Sequence, residues 1–456
     1  MPNFLLFMSD EHNPRISSVY GHPFVRTPNM ERLAAMGTVF ENAYCPSPLC
    51  VPSRSALMSG RPVHQIQVYN NCKVIPHDHP SYGAVLAAQG VHTAWVGSHM
   101  NLYRDPYEQG FSELLLVERT KPSLSTEFDR SRLPMRRPGA LKREYGPRED
   151  AWASSIRQVD CALEWLRTTA PRLGKPWTLT VNVHPPHPPL WALPEYWAMY
   201  DGLADLPKYG PEEESAKHPY AASLREFYAT DECTEEETRG MRQSYYACVT
   251  YVDHELGRVL DALEETGLIE DTVVVYTADH GEMLGKFGMW WKSSLYEDSA
   301  RIPLLAAGPG FGRGVRVKTP VSLLDMQAAM FRAVERERPA EWWGKPLQEI
   351  PEDDPNRVVL SEYHGHGVPS GAFMIRRGDW KLIYNMAAPH QLFNLKDDPE
   401  ELHNLWEAEP EIAADLEREL RSLLDPERVN REAHEFEARQ LEVIRSLKAA
   451  SGGRAE

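Results

Sequence analysis

The sequence predicts an α/β fold: a doubly wound sheet with helices on both faces, followed by a smaller C-terminal α+β part. Three observations carry this. Short, largely apolar runs at 4–8, 93–96, 178–183 and 272–277 suit strands buried on both faces. Helical stretches such as 234–266 lie between them, as the crossovers of such a sheet require. From residue 358 the texture changes to turn-separated strands at 358–360, 372–375, 381–384 and 391–394, the pattern of a small antiparallel sheet.

Each apolar run ends in residues able to bind a metal or move a proton. The first runs into Asp10-Glu11-His12, the second into Gly97-Ser98-His99, the third into His184-Pro185-Pro186-His187, and the fourth into Asp279-His280-Gly281. Ligands of doubly wound sheets bind at the carboxyl ends of the strands, so four distant parts of the chain are expected at one site. Residues 320–354 read as a helix and a Pro-rich connector. The charged stretch 410–448 reads as helical, packing on the small sheet or contacting a partner chain, which leaves a homo-oligomer open. The expected division is a catalytic part, 1–350, and a C-terminal part, 351–456.

The chain has 456 residues, 42% of them apolar, and a formal charge of -17. That charge argues against a nucleic-acid partner, because counterion release needs a basic face. A small anionic substrate stays open, since a local cluster of cations overrides net sign. No basic leader precedes the run at 4–8, and no window approaches the ~20 apolar residues of a membrane span. Six cysteines lie scattered without disulfide or zinc spacing. The expectation is a cytoplasmic chain with no membrane partner.

Asp10 with Glu11, and Asp279 with His280, are candidate ligand pairs for a hard divalent cation; read singly, each aspartate suits a helix cap equally well. Cys50 lies in Cys50-Val51-Pro52-Ser53-Arg54. Pro52 suits a first helical turn, which puts Cys50 at a helix N-terminus with Arg54 one turn on. Without a metal, such a thiol would have a depressed pKa and be a reactive cysteine.

This motif, followed by Gly60-Arg61, resembles the signature of the type I, formylglycine-dependent sulfatases of the alkaline phosphatase superfamily. The likeness extends through Thr27-Pro28-Asn29-Met30, residues 276–285, Lys292, Tyr296-Glu297, 301–304, 378–382 and 392–399. It covers most of the chain, is weakest at 115–172, and in texture is similar to choline-sulfatase-like enzymes and phosphonate monoester hydrolases. It implies an alkaline phosphatase-like large mixed sheet. It also implies that Cys50 is oxidised to formylglycine by a formylglycine-generating enzyme, beside a metal held by Asp10, Glu11, Cys50, Asp279 and His280. One hydroxyl of the hydrated aldehyde would attack sulfur or phosphorus, and the other would later expel the inorganic anion. Arg54 and Lys292 would offset charge on the transferring group, Asn71 would contact the anion, and His187 the leaving group, with His184 as its substitute.

Two departures stand out. Glu11 occupies a place usually held by Asp. The Gly-Lys-x-His that usually follows the second strand reads Gly97-Ser98-His99-Met100-Asn101-Leu102. The lysine is absent, so His99 would take the acid/base role and Asn101 the usual histidine place. The resulting expectation is a sulfatase acting on a small organic sulfate ester, with a phosphonate monoester or phosphodiester hydrolase as the alternative. Ca²⁺ is the expected metal for hard oxygen ligands, while His280 keeps Mn²⁺ or Mg²⁺ open. Candidate substrate-wall residues are Tyr103, Tyr107, Trp290, Trp291 and residues 364–366.

Overall fold

Strand β1 (Asn3–Asp10) is buried at every position, and its side chains divide between two cores. Leu5 and Phe7 point to one face, and Phe4, Leu6 and Met8 to the other. A strand apolar on both sides needs helices above and below it, so β1 sits inside the sheet. The computed structural model describes residues 2–75, 77–97, 106–118, 124–136 and 143–450. Its large sheet adds β2 (Gly37–Phe40), β3 (His92–Val96), β4 (Glu113–Leu115), β5 (Trp177–Pro186), β6 (Thr272–Ala278), β7 (Leu304–Ala307) and β8 (Val315–Val317). The order is β8-β2-β7-β6-β1-β5-β3-β4. β1 runs parallel to β5 and β6, whereas β7 runs antiparallel to both β6 and β2. The sheet is therefore mixed, as the resemblance implied.

On the Leu5/Phe7 face lie α1 (Pro28–Met36), α3 (Ala153–Thr168) and α4 (Glu235–Glu265); on the other lie α2 (Cys50–Ser59) and α5 (Leu323–Ala333). α4 realises the predicted helix at 234–266. Thr234 caps it, with a reciprocal bond from Glu237 that satisfies two free amide groups of the first turn. All four predicted strands of the large sheet form, and their carboxyl ends point toward the first turn of α2.

The C-terminal meander is β9 (Val358–Tyr363), β10 (Ala372–Arg377), β11 (Trp380–Asn385) and β12 (Gln391–Asn394), antiparallel throughout. The stretch 410–448 is corrected in one respect: it forms two helices, α6 (Pro410–Leu423) and α7 (Pro426–Ala450). Pro426 has no amide hydrogen and cannot continue the preceding helix, so the chain breaks there and restarts. Leu416 and Leu420 of α6 pack on Phe373, Leu382 and Leu392 of the small sheet. The same core takes Val51 and Ala56 of α2 and Val63 and Ile66 just beyond it, so the small sheet buttresses the element that carries Cys50. Among the described residues no helix is long and apolar enough to cross a membrane.

A buried His–Glu–His group spans the same junction. Glu362 of β9 accepts from His64 Nδ1 at 2.9 Å and from the His64 amide at 3.0 Å, and its other oxygen lies 3.0 Å from His364 Nε2. Burial penalises this carboxylate, but His64 and His364 outweigh it and hold the pKa at about 2, against an ordinary 4.5. Burial likewise opposes the charge on His64, and Glu362 overcomes it, raising the imidazole above 6.5. The depressed Glu362 stabilises the fold fully above pH 4.5 and loses its effect as pH falls toward 2; the raised His64 contributes fully below 6.5. Both terms are present at about pH 5.5, where Glu362→Gln is expected to cost on the order of 2–3 kcal/mol. The cost should nearly vanish by about pH 2, as read by urea unfolding at the two pH values. An equal effect at both would remove the ion pair from the explanation.

Candidate active site

Asp10 is the last residue of β1, and Glu11 turns the chain out of the sheet with a φ of 67°. A left-handed non-glycine residue is held there by its neighbours. The Glu11 amide donates to Asp279 Oδ1 at 3.1 Å, and its carbonyl accepts from Tyr245 of α4 at 2.6 Å. Asp279 and His280 leave the end of β6 beside it. Cys50 is the first residue of α2, as the position of Pro52 predicted, and its Sγ lies 3.1 Å from His280 Nε2.

Arg54, one turn further along α2, organises the acidic side of the site. Its Nε donates to Asp279 at 2.7 Å, and its two terminal nitrogens donate to Asn182 at 2.9 Å and Asp10 at 3.2 Å. All four side chains are buried. Burial penalises the Asp10 carboxylate, yet Arg54, His280 and Lys292 together hold its pKa below the ordinary range. His280 Nδ1–H donates to the Gly281 carbonyl at 3.1 Å, which leaves the Nε2 lone pair facing Cys50 and the carboxylates. Burial lowers its pKa, against the pull of Asp279.

Donor atoms of Asp10, Cys50, Asp279 and His280 lie within 4.8 Å of one another, and a second such set joins Asp10 to Glu11 and His187. Glu11 is thus displaced from the first set. Its carboxylate turns to Lys292 Nζ at 2.7 Å and lies 3.4 Å from His187 Nε2. Asp10 Oδ1 and Glu11 Oε1 are buried without a hydrogen-bond partner among the described residues. An orphaned buried carboxylate oxygen is costly, and a divalent cation satisfies both. Oxygen donors with one imidazole suit a hard or borderline ion.

The reactive-thiol alternative is corrected. Burial, with Asp10, Asp279 and Glu11 adding to it, pushes the Cys50 thiol well above its ordinary value, and Lys292 opposes this only in part. The helix N-terminus and Arg54 suggested the opposite, but three carboxylates stand closer to the sulfur's charge than the sequence revealed.

The remaining predicted residues fall as follows. Asn71 Oδ1 accepts the Val51 amide at 3.0 Å, which ties its loop to the first turn of α2. His187 Nδ1–H donates to the Pro188 carbonyl at 2.6 Å, leaving Nε2 toward Glu11, and the His184 ring lies tilted against it with 4.7 Å between ring centres. Burial, then Lys292 and His184, push His187 well below 6.5. His99, Asn101 and Tyr103 lie outside the described residues. Trp290, Trp291, His364 and His366 are buried in packing, whereas Tyr107 is exposed.

Sequence reasoning missed Asn182, Glu282 and Tyr245. Asn182 interrupts the apolar run of β5, a signal that was available. Glu282 receives the amides of Leu284 and Trp291 at 2.9 and 2.6 Å and lies against Glu11. Burial, with that neighbour adding to it, raises Glu11 well above the ordinary carboxylate range despite Lys292. Tyr245 lies mid-helix, and nothing local marks it.

A family model described as Sulfatase matches residues 2–335, and one described as N-sulphoglucosamine sulphohydrolase, C-terminal, matches 285–428. The chain belongs to the sulfatase family. The choline-sulfatase of Rhizobium meliloti (strain 1021) is 31% identical over 439 residues, covering 89% of this chain and 82% of that protein. Arylsulfatase K of Bos taurus is 30% identical over 468 residues, covering 96% and 84%. The phosphonate monoester hydrolase of Agrobacterium radiobacter shares the fold, with a TM-score of 0.76 at 22% identity over 93% of this chain and 95% of that one. As a sulfatase-family member the chain is a sulfuric ester hydrolase. Sulfatases of this family generally use a formylglycine and a divalent metal, and Cys50 lies within a possible metal site here.

Proposed function

We propose that this sulfatase hydrolyses the sulfate ester of a small organic molecule, with the oxidised side chain of Cys50 as nucleophile. The observation that carries this is the placement of Cys50 at the start of α2, 3.1 Å from His280 and within one donor cluster with Asp10 and Asp279. When bound, a divalent cation on Asp10, Asp279 and His280, with Glu11 beside it, supplies Lewis acidity, and formylglycine at position 50 supplies the nucleophilic oxygen. Ca²⁺ fits these mainly carboxylate donors, and Mn²⁺ or Mg²⁺ fit less closely.

The protein's own groups do the rest. Arg54 holds Asp10 and Asp279 at fixed separation, so the site does not rearrange as charge shifts. Lys292, oriented by Glu11, faces the transferring group. His187 has Nδ1 committed to the Pro188 carbonyl, so Nε2 is the nitrogen that can hold or move a proton at the leaving oxygen. Asn71 lies at the anion side of the same helix turn. Cys50 is buried, so a formylglycine-generating enzyme must act on the chain before it folds. The division near residue 350 separates the catalytic sheet from the part that buttresses α2.

The relatives named choline-sulfatase and arylsulfatase K favour a small organic sulfate over the phosphonate or phosphodiester alternative. Protein made with a maturing enzyme is expected to cleave an aryl sulfate at least about tenfold more efficiently than a matched phosphodiester or phosphonate monoester, compared as kcat/KM. Chelation should abolish the rate and Ca²⁺ should restore it best. The reverse substrate order would transfer the chain to the phosphorus-ester alternative.

A further inference from the structure

The two described cations in the nucleophile's immediate shell are already committed. Arg54 is bonded to Asp10 and Asp279, and Lys292 to Glu11. Lys73 differs. It follows Asn71 by two residues, and the Asn71 bond to the Val51 amide fastens this segment to the turn of α2 that begins at Cys50. Its side chain is half-buried, and its ammonium makes no hydrogen bond or ion pair among the described residues. Among the described residues, Cys50 is the titratable group that acts on it. Burial lowers its pKa, and Cys50 pulls the other way. A half-buried ammonium without a counterion is costly to maintain, and that cost is offset where an anion binds beside the nucleophile. The segment at 97–102 lacks the lysine usual in the family.

We propose that Lys73 is a substrate-binding residue whose ammonium holds a non-bridging oxygen of the ester's sulfuryl group beside position 50. The proposal rests on the sulfate-ester reading. Lys73 supplies from the 70–75 loop the positive charge that the chain lacks at 97–102. Because no carboxylate among the described residues bonds to it, its ammonium is available to the bound anion.

The test uses full-length Lys73→Gln and Lys73→Arg proteins, matched for formylglycine content by mass spectrometry and for bound metal. Two quantities are read: kcat/KM for 4-nitrophenyl sulfate and the inhibition constant of inorganic sulfate. Lys73→Gln is expected to lower kcat/KM and raise the inhibition constant, each by about tenfold to a hundredfold, as loss of a charge-assisted hydrogen bond does. Lys73→Arg should recover most of both, with the melting temperature unchanged in each variant. Changes within about threefold on both readings would overturn the proposal. So would a loss that arginine does not restore and that comes with a lower melting temperature, which marks a structural lysine. Reduced turnover with unaltered sulfate inhibition would place Lys73 on the leaving group and overturn it too. Failure of the sulfate-ester reading shows up separately, as wild-type protein that prefers phosphorus esters.

Discussion

Cys50→Ala is expected to remove turnover, by on the order of 10⁴-fold or more, while the protein keeps its fold and melting temperature. Cys50 occupies the first position of α2, where alanine is tolerated, and its sulfur makes one recorded polar contact, to His280. Among the described residues nothing else in the site offers a nucleophile at that point: Ser53 donates its hydroxyl to the Asp279 carbonyl at 2.7 Å, and Arg54 and Lys292 are engaged with carboxylates. Because burial and three carboxylates raise the thiol's pKa, unmodified Cys50 should also be inert. Activity should therefore follow the fraction of position 50 found as formylglycine in peptide mass spectra. Turnover in wild-type protein whose Cys50 is entirely thiol would sink the mechanism, as would turnover retained by the alanine variant.

Arg54→Ala is expected to be damaging in two separable ways. The guanidinium, 1% exposed, spans Asp10, Asp279 and Asn182. Removing it leaves two buried carboxylates facing each other without compensation, a change that typically costs about 3–5 kcal/mol. Activity should fall on the order of 10²–10³-fold, since the ligands lose their fixed separation and the transferring group loses a nearby cation. Arg54→Lys should restore part of the stability but little activity, because an ammonium cannot reach three acceptors in the guanidinium's planar arrangement. A bound divalent cation partly neutralises the same carboxylates, so the destabilisation should be larger in chelator than in Ca²⁺. Urea unfolding in both conditions measures this, and an Arg54→Ala protein as stable as wild type in chelator would contradict the ledger of charges drawn here.

The sheet strands that carry the site were legible because burial on both faces leaves a local mark: short, largely apolar runs followed by polar residues or glycine at Asp10, Gly97, His184 and Asp279. Strands β2, β7 and β8 were not read. They are three or four residues long, and pairing partners far along the chain, not their own pattern, make them strands. Helices α6 and α7 read as one because charge periodicity ran through the break that Pro426 imposes.

Within the site, the residue types able to bind metal and the place of Cys50 at a helix start were determined by sequence alone, since both depend on chemistry and on neighbours a few residues away. Tertiary structure decided which of them share a volume. It turned Glu11 toward Lys292 and His187, set Asn182 against Arg54 and Glu282 against Glu11, and left Lys73 without a counterion among the described residues. Above all it buried Cys50 and set Asp10, Asp279 and Glu11 near it, which together raise the thiol's pKa. The helix end and Arg54 are close in sequence, but Asp10, Glu11 and Asp279 arrive from strands 40 to more than 200 residues away. Electrostatic energy depends on distance in space, so only the folded chain shows that acidic groups surround Cys50.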